Sequence, residues 1–294
     1  MPYTKPLRIS PNFDNDEYIL VTPEIAGWEH LSFAARKISI GSTWESYTGD
    51  NEMAVVLLGG QAKFSSDRLS WKKIGRRPDV FSGMPYTIYI PRDTHFSIEA
   101  LSNELDLGYG WARSDQDHAM QLITPEMARI EIRGGGNVTR QINSIIAPGF
   151  DCHRLVVVEV YTPSGNWSSY PPHKHDRHRC DENGNLIEAD LEEIYFYKID
   201  KPKGFAYQRI YTGDGEIDEL ILVHDNMLVL SPEGYHPVVS APGYTTYYLN
   251  FLAGSAQSLT SSDDPDHSWV KQTFGEKDPR LPVVKLEMES QDQT

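Results

Sequence analysis

The sequence predicts an all-β fold built as two β-barrel (jelly-roll) domains in one chain, on three observations. Short strand-like runs recur from Tyr18 nearly to the end, separated by clusters of Gly, Pro, Asp and Ser. No long amphipathic helical pattern interrupts them. A carboxylate-to-histidine interval of 43 residues occurs twice, from Glu52 to His95 and from Glu193 to His236. In each case the carboxylate opens a strand and the histidine follows a proline-containing turn, the mark of an internal duplication.

In chain order, the first series of strands comprises SFAARKISI, MAVVLLGGQAKF and YTIYIPRDTHFSIEA. The polar stretch SDQDHAMQLITPEMARIEIRGGGN ends in three glycines and reads as the join. The second series comprises RLVVVEVYT, EEIYFYKID, GFAYQRIYT, DELILVHDNMLVLS and YTTYYLNFLAG. The expected division is therefore 1–135 for the first barrel, 136–260 for the second and 261–294 for a C-terminal tail. Sixteen Tyr, 22 Gly and 19 Pro favour many short strands and turns over long helices.

Against 27 basic residues stand 42 acidic ones, a formal charge of −15. A surface of that sign argues against nucleic acid as a partner, because phosphates demand a basic face. It also gives an anionic metabolite no long-range attraction, so an acidic substrate needs a local cation. Two cysteines, Cys152 and Cys180, do not make a disulfide framework. The N-terminus lacks an apolar leader core and no run reaches the length of a membrane span. A cytoplasmic protein without membrane contact is the expectation.

The strongest local signal is Tyr170-Pro171-Pro172-His173-Lys174-His175-Asp176. In an extended segment residues i and i+2 share a face, so His173 and His175 can serve one ion. Glu193 opens a strand in which Tyr195 and Tyr197 share its face while Ile194 and Phe196 point the other way. His236, after the Pro232-Glu233-Gly234 turn, can return beside the pair. Three imidazoles and a carboxylate suit one divalent transition-metal ion (Zn²⁺, Mn²⁺, Fe²⁺ or Ni²⁺) and leave positions open for substrate. A rival site is a compact zinc knot of His173, His175, His178 and Cys180, in a polar run that reads as an exposed loop.

These motifs, in the forms PPHKHD, EEIYFYKI and SPEGYHPVVSAPGY, resemble those of metal-binding cupins. With SGNWSSYPPHKHD, FAYQRIYTGDGEIDE, PEGYHPVVSAPGYTTYYLNFLAG and DDPDHSWV, nearly the whole chain is similar to the 5-deoxy-glucuronate isomerase family of inositol catabolism. That family is related to the 4-deoxy-5-threo-hexosulose-uronate ketol-isomerases. The resemblance implies a bicupin whose metal sits only in the second barrel, with His173, His175, Glu193 and His236 as ligands. Glu52 and His95 then look like remnants of a lost first site. A homo-oligomer is expected.

The implied reaction turns an aldose-type uronic acid, 5-deoxy-D-glucuronate, into the ketose 5-dehydro-2-deoxy-D-gluconate. A hydrogen moves between C1 and C2 as a proton through an enediolate or as a hydride. The proton route needs a base within hydrogen-bond reach; Lys174, Tyr195, Glu192 and Tyr248 are candidates, with Tyr195 favoured by its period-two relation to Glu193. The small anionic sugar acid needs a cation, best an arginine. Arg140, Arg154 and Arg209 are the candidates, and Gln208 is placed to hydrogen-bond a hydroxyl. Two other functions fit the same ligand set: a cupin dioxygenase and a non-enzymatic sugar-binding cupin.

Overall fold

The computed structural model describes residues 5–286. Strands dominate, and the helical segments among these residues are short: one α-turn at Pro23–Ala26 and three 3-10 turns. No helix among the described residues is long and apolar enough to cross a membrane.

The first half builds a six-stranded sheet in the order Gln121–Ile123, Thr87–Ile90, Asn51–Gly59, Glu104–Arg113, Leu31–Ser39, Glu17–Val21. A four-stranded sheet (Thr43–Tyr47, His95–Ala100, Ala62–Ser66, Ser70–Ile74) accompanies it. The second half repeats the plan. Its larger sheet carries Leu228–Ser231, Leu186–Ile199, Thr246–Gly254, Val156–Thr162 and Arg140–Ile146 side by side. The smaller one carries Trp167–Ser168, Val238–Ser240, Ala206–Tyr211 and Asp218–Val223.

Strand alternation sorts the side chains into three cores. Along Asn51–Gly59, Met53, Val55 and Leu57 pack inside the first half, while Ala54, Val56 and Leu58 face the second half. Along Leu186–Ile199, Tyr195 and Tyr197 point into the second half, and Ile194 and Phe196 face the first. The shared core is thus the two large sheets packed on each other, with Phe33 at 5.5 Å (ring centroids) from both Phe196 and Phe251. Gly110 admits Phe251 there: a Cβ at 110 would lie 2.4 Å from the Phe251 ring, so the position tolerates no side chain without repacking.

Two expectations about the chain's division need correction. Arg129–Arg133 pairs with Arg140–Ile146, and Arg8–Ile9 pairs with Leu228–Ser231, so segments from 1–135 complete the second half's sheet. The described residues beyond 260 are not a free tail. Ser262–Asp263 pairs with His173–Lys174, and Val284 is buried, its carbonyl accepting from Gln141. The glycine run makes this possible: a Cβ on Gly135 would sit 2.3 Å from the Gly275 carbonyl oxygen.

The duplication is also offset by one residue from the sequence spacing. In the sheets Met53 lies opposite Ile90, and Glu193 lies opposite Ser231. Glu52 therefore corresponds to Glu192. Each of these carboxylates reaches across to the other half. Glu52 accepts the backbone N–H groups of His153, Arg154 and Leu155 (2.6–3.1 Å) and the Tyr89 hydroxyl. Glu192 accepts those of Glu29, His30 and Leu31. Glu52 is thus no remnant of a metal site but half of a reciprocal clasp, and Met53 stands where the second half has Glu193. His95 is exposed and stacked on Tyr47 at 4.2 Å.

Candidate metal centre and substrate pocket

His175 is held by its backbone carbonyl, which accepts from Leu191 N–H, and by its Nδ1, 3.0 Å from the Leu191 carbonyl oxygen. This fixes Nε2 2.9 Å from Glu193 Oε2. Glu193 projects from the long strand into the second half's interior, as strand parity requires. His236 follows the Gly234 turn, its Nδ1 2.9 Å from the Gly234 carbonyl oxygen and its Nε2 3.3 Å from Glu193 Oε2. One ligand atom from each of His175, Glu193 and His236 lies within 4.8 Å of the others, and all three residues are buried. His173 stands beside this triad, its ring 5.0 Å from that of His236, with Nδ1 facing the Pro171 carbonyl oxygen at 3.3 Å.

The donor set fits a divalent cation on two observations. In all three histidines Nδ1 is turned to a backbone carbonyl, the outer contact that fixes the tautomer of a metal-binding imidazole. His236 Nε2 is buried with no hydrogen-bond partner, a cost that a bound cation would remove. Burial pushes His173 and His236 down to about 3, with neighbouring imidazoles adding to the effect, so both rings are neutral and offer lone pairs at ordinary pH. At His175 burial also acts downward, but the hydrogen bond and charge of Glu193 outweigh it and the pKa rises.

A cavity of about 310 Å³ opens beside the cluster. Its walls include His173, His175, Glu193, Tyr195, Tyr248 and Arg140. Arg140 is buried and points inward with Ile142, while Gln141 and Asn143 take the opposite face. Its Nη1 lies 3.3–3.4 Å from the carbonyl oxygens of Val138 and Tyr170, and no carboxylate among the described residues pairs with it. Burial lowers its pKa. Tyr195 and Tyr248 are buried, and their hydroxyls lie 3.2 and 3.4 Å from Ser169 Oγ. Burial raises both phenols and Glu193 adds to both, while hydrogen bonds from Ser168 and Ser169 and the Arg140 charge hold Tyr248 back.

Other expected site residues lie elsewhere. Lys174, between two inward-facing histidines, must point away, and it pairs with Asp176 and Glu188. Glu192 is in the clasp. Arg154 donates to the carbonyls of Arg113 and Gly254 at the junction of the halves. Arg209 is exposed, pairing with Asp218 and covering the Tyr211 ring. Gln208 is buried behind the site, accepting from Tyr197 Oη–H at 2.8 Å. His178 and Cys180 lie on an exposed hairpin away from His173 and His175, so the zinc knot is not assembled. Sequence reading missed Ser169, Asn250 and Arg133, and from beyond residue 260 Lys271 and Phe274, all lining the cavity. Parity marked Asn250, which alternates with Tyr248; nothing in the sequence marked the others.

Adjacent carboxylates thus have separable roles. Glu193→Gln should lose metal with little change in stability. Glu192→Gln should keep its metal but unfold more easily by about 1–3 kcal/mol, because an amide accepts the three N–H groups less well. Metal analysis and denaturant unfolding of the two variants check this.

An all-β chain with this sheet plan and a histidine–carboxylate cluster inside its second half is of the cupin class. Consistent with that, a solved mutant of Bacillus subtilis oxalate decarboxylase superposes with a TM-score of 0.61 at 12% identity, over 98% of this chain and 88% of that one. Residues 8–270 match the KduI/IolB family, and the chain belongs to it. Among its relatives, the 5-deoxy-glucuronate isomerase of Geobacillus thermodenitrificans is 41% identical over 90% of this chain and 94% of its own length. That of Bacillus subtilis (strain 168) is 36% identical over 85% and 91%. The crystal structure of an IolB-like protein from Salmonella typhimurium LT2 has a TM-score of 0.86 and 31% identity, covering 90% of this chain and 99% of that one.

Proposed function

We propose that this protein is a 5-deoxy-glucuronate isomerase of inositol catabolism, an aldose–ketose isomerase acting on a small sugar acid. Arg140 is the observation that carries the substrate class. A buried guanidinium with no carboxylate partner is costly, and it faces the same cavity as the histidine–carboxylate cluster. A substrate with a carboxylate at one end and an aldehyde at the other satisfies both.

His175, Glu193 and His236 would hold one divalent ion, with His173 as a fourth ligand. When bound, such an ion supplies Lewis-acid polarisation of the substrate's oxygens. Arg140 anchors the carboxylate and fixes which carbons face the cluster. Tyr195 and Tyr248 are the groups positioned to exchange protons with the substrate oxygens. Asn250 hydrogen-bonds through its amide to the Ile194 carbonyl oxygen, which steadies the strand carrying Glu193 and Tyr195. The fold reading that goes with this is a bicupin divided near residues 124–128. The Arg8–Ile9 strand is then lent to the metal-bearing barrel, which Arg129–Arg133 opens.

The experiment is a coupled or NMR assay of uronic-acid aldehydes, with Arg140→Ala alongside. A charged hydrogen bond contributes about 1.5–3 kcal/mol, so Arg140→Ala should raise KM for the uronate roughly tenfold or more. Arg209→Ala should leave it unchanged. The matching aldose without a carboxylate should bind poorly and ignore the Arg140 change. No turnover of any uronic-acid aldehyde by the metal-loaded protein would overturn the proposal.

A further inference from the structure

We propose that Ser169 is a positioning residue for proton transfer, its hydroxyl linking Tyr195 and Tyr248 into a relay that moves a proton between neighbouring substrate oxygens. The inference rests on the isomerase reading above.

Three observations carry it. Ser169 Oγ lies 3.2 Å from Tyr195 Oη and 3.4 Å from Tyr248 Oη. The two phenol rings, 4.9 Å apart by centroids, come from neighbouring strands and share one cavity with Ser169. Ser169 also has φ +49°, a left-handed conformation that a serine adopts at a cost and that glycine would take more readily. The adjacent Ser168 accepts from the Thr162 hydroxyl at 2.7 Å and also reaches Tyr248, so Ser169 is set apart by joining both phenols. A strained backbone that turns one hydroxyl between two phenols points to use of that hydroxyl.

The chemistry balances without a co-reactant. In aldose–ketose isomerisation the carbinol carbon loses one hydrogen and the aldehyde carbon gains one. In parallel, the carbinol oxygen loses a proton and the former aldehyde oxygen gains one. The relay serves the oxygen pair. One phenol takes the proton from the carbinol oxygen and passes its own to Ser169 Oγ. Ser169 passes its proton to the other phenol, which gives its own to the aldehyde oxygen. Each of the three groups ends with one proton, and this oxygen-to-oxygen shift is required whether the carbon-bound hydrogen travels as a proton or as a hydride.

Ser169→Gly separates relay from scaffold, since it removes the hydroxyl while relieving the backbone. With metal content matched to wild type, Ser169→Gly and Ser169→Ala should both lower kcat about 100-fold, within the usual range for a positioned acid–base group, with KM changed less than about twofold. Ser169→Gly should unfold no more easily than wild type. Tyr195→Phe and Tyr248→Phe should show the same split. In H2O/D2O mixtures the wild-type proton inventory on kcat should be curved, reporting several protons in flight. Wild-type kcat in Ser169→Gly, or a linear wild-type inventory, would overturn the relay while leaving the isomerase reading intact. A wild-type protein inactive on uronic-acid aldehydes would instead fault that reading.

Discussion

His236→Ala should empty the metal site and lower kcat/KM on the order of 1000-fold, while the chain stays folded. The size follows from losing a Lewis acid worth several kcal/mol, at about 1.4 kcal/mol per decade. His236 is the sharpest choice because its buried Nε2 makes no hydrogen bond and faces Glu193 Oε2 at 3.3 Å, while its Nδ1 is already committed to the Gly234 carbonyl. Removing the ring should therefore remove a ligand at the cost of local contacts to Gly234 and Glu193. The fold should survive because the shared core between the large sheets lies on the other face of the Glu193 strand. Metal analysis, turnover and circular dichroism check the three parts. Full metal content in His236→Ala would overturn the ligand assignment, and Cys180→Ser is the control that should change nothing.

Arg77→Ala should be the most destabilising of the substitutions considered, by about 3–5 kcal/mol, because it strands a buried carboxylate. Arg77 and Glu159 are almost wholly buried between the two large sheets, 2.6 Å apart. Glu159 also accepts from Tyr247 at 2.8 Å, and Arg77 donates to the carbonyls of Leu57 and Gly83. The pair thus ties a first-half loop to a second-half strand. Replacing both partners by apolar residues, as in Arg77→Met with Glu159→Leu, should recover much of the loss, since no uncompensated charge remains. Denaturant unfolding with matched metal content measures both. Equal losses in the single and double variants would mean that the arginine acts through its carbonyl contacts and not through Glu159.

Much of the fold was legible from residues alone. Runs such as MAVVLLGG and the IYFY of EEIYFYKI are short and continuously apolar, and bounded by turn residues they read as strands buried on both faces. Strand parity placed Tyr195 and Tyr197 on the face of Glu193, and Ile194 and Phe196 opposite. The same parity between His173 and His175 turns Lys174 away from the cluster, although Lys174 stood among the candidate bases. The histidine cluster was nominated by motif, because few other arrangements give neutral imidazoles and a carboxylate a reason to recur on strand-opening and turn-following positions.

What tertiary structure alone decided was register and company. The 43-residue spacing equated Glu52 with Glu193, whereas the sheet pairing equates Glu52 with Glu192. One residue of slip moves a side chain to the opposite face of a strand, and so it exchanges a place in the histidine–carboxylate cluster for a clasp between the halves. The arginines were equivalent as sequence: Arg209 meets Asp218 in solvent, Arg154 meets backbone carbonyls at the junction, and Arg140 is buried without a counter-ion. Ser169 carries no motif, since its backbone conformation and its two phenols come from the chain's path and from strands far apart in sequence. Parity, turns and ligand chemistry are local and can be read from neighbours, whereas burial, pairing and a charge's missing partner depend on which distant segments share a wall.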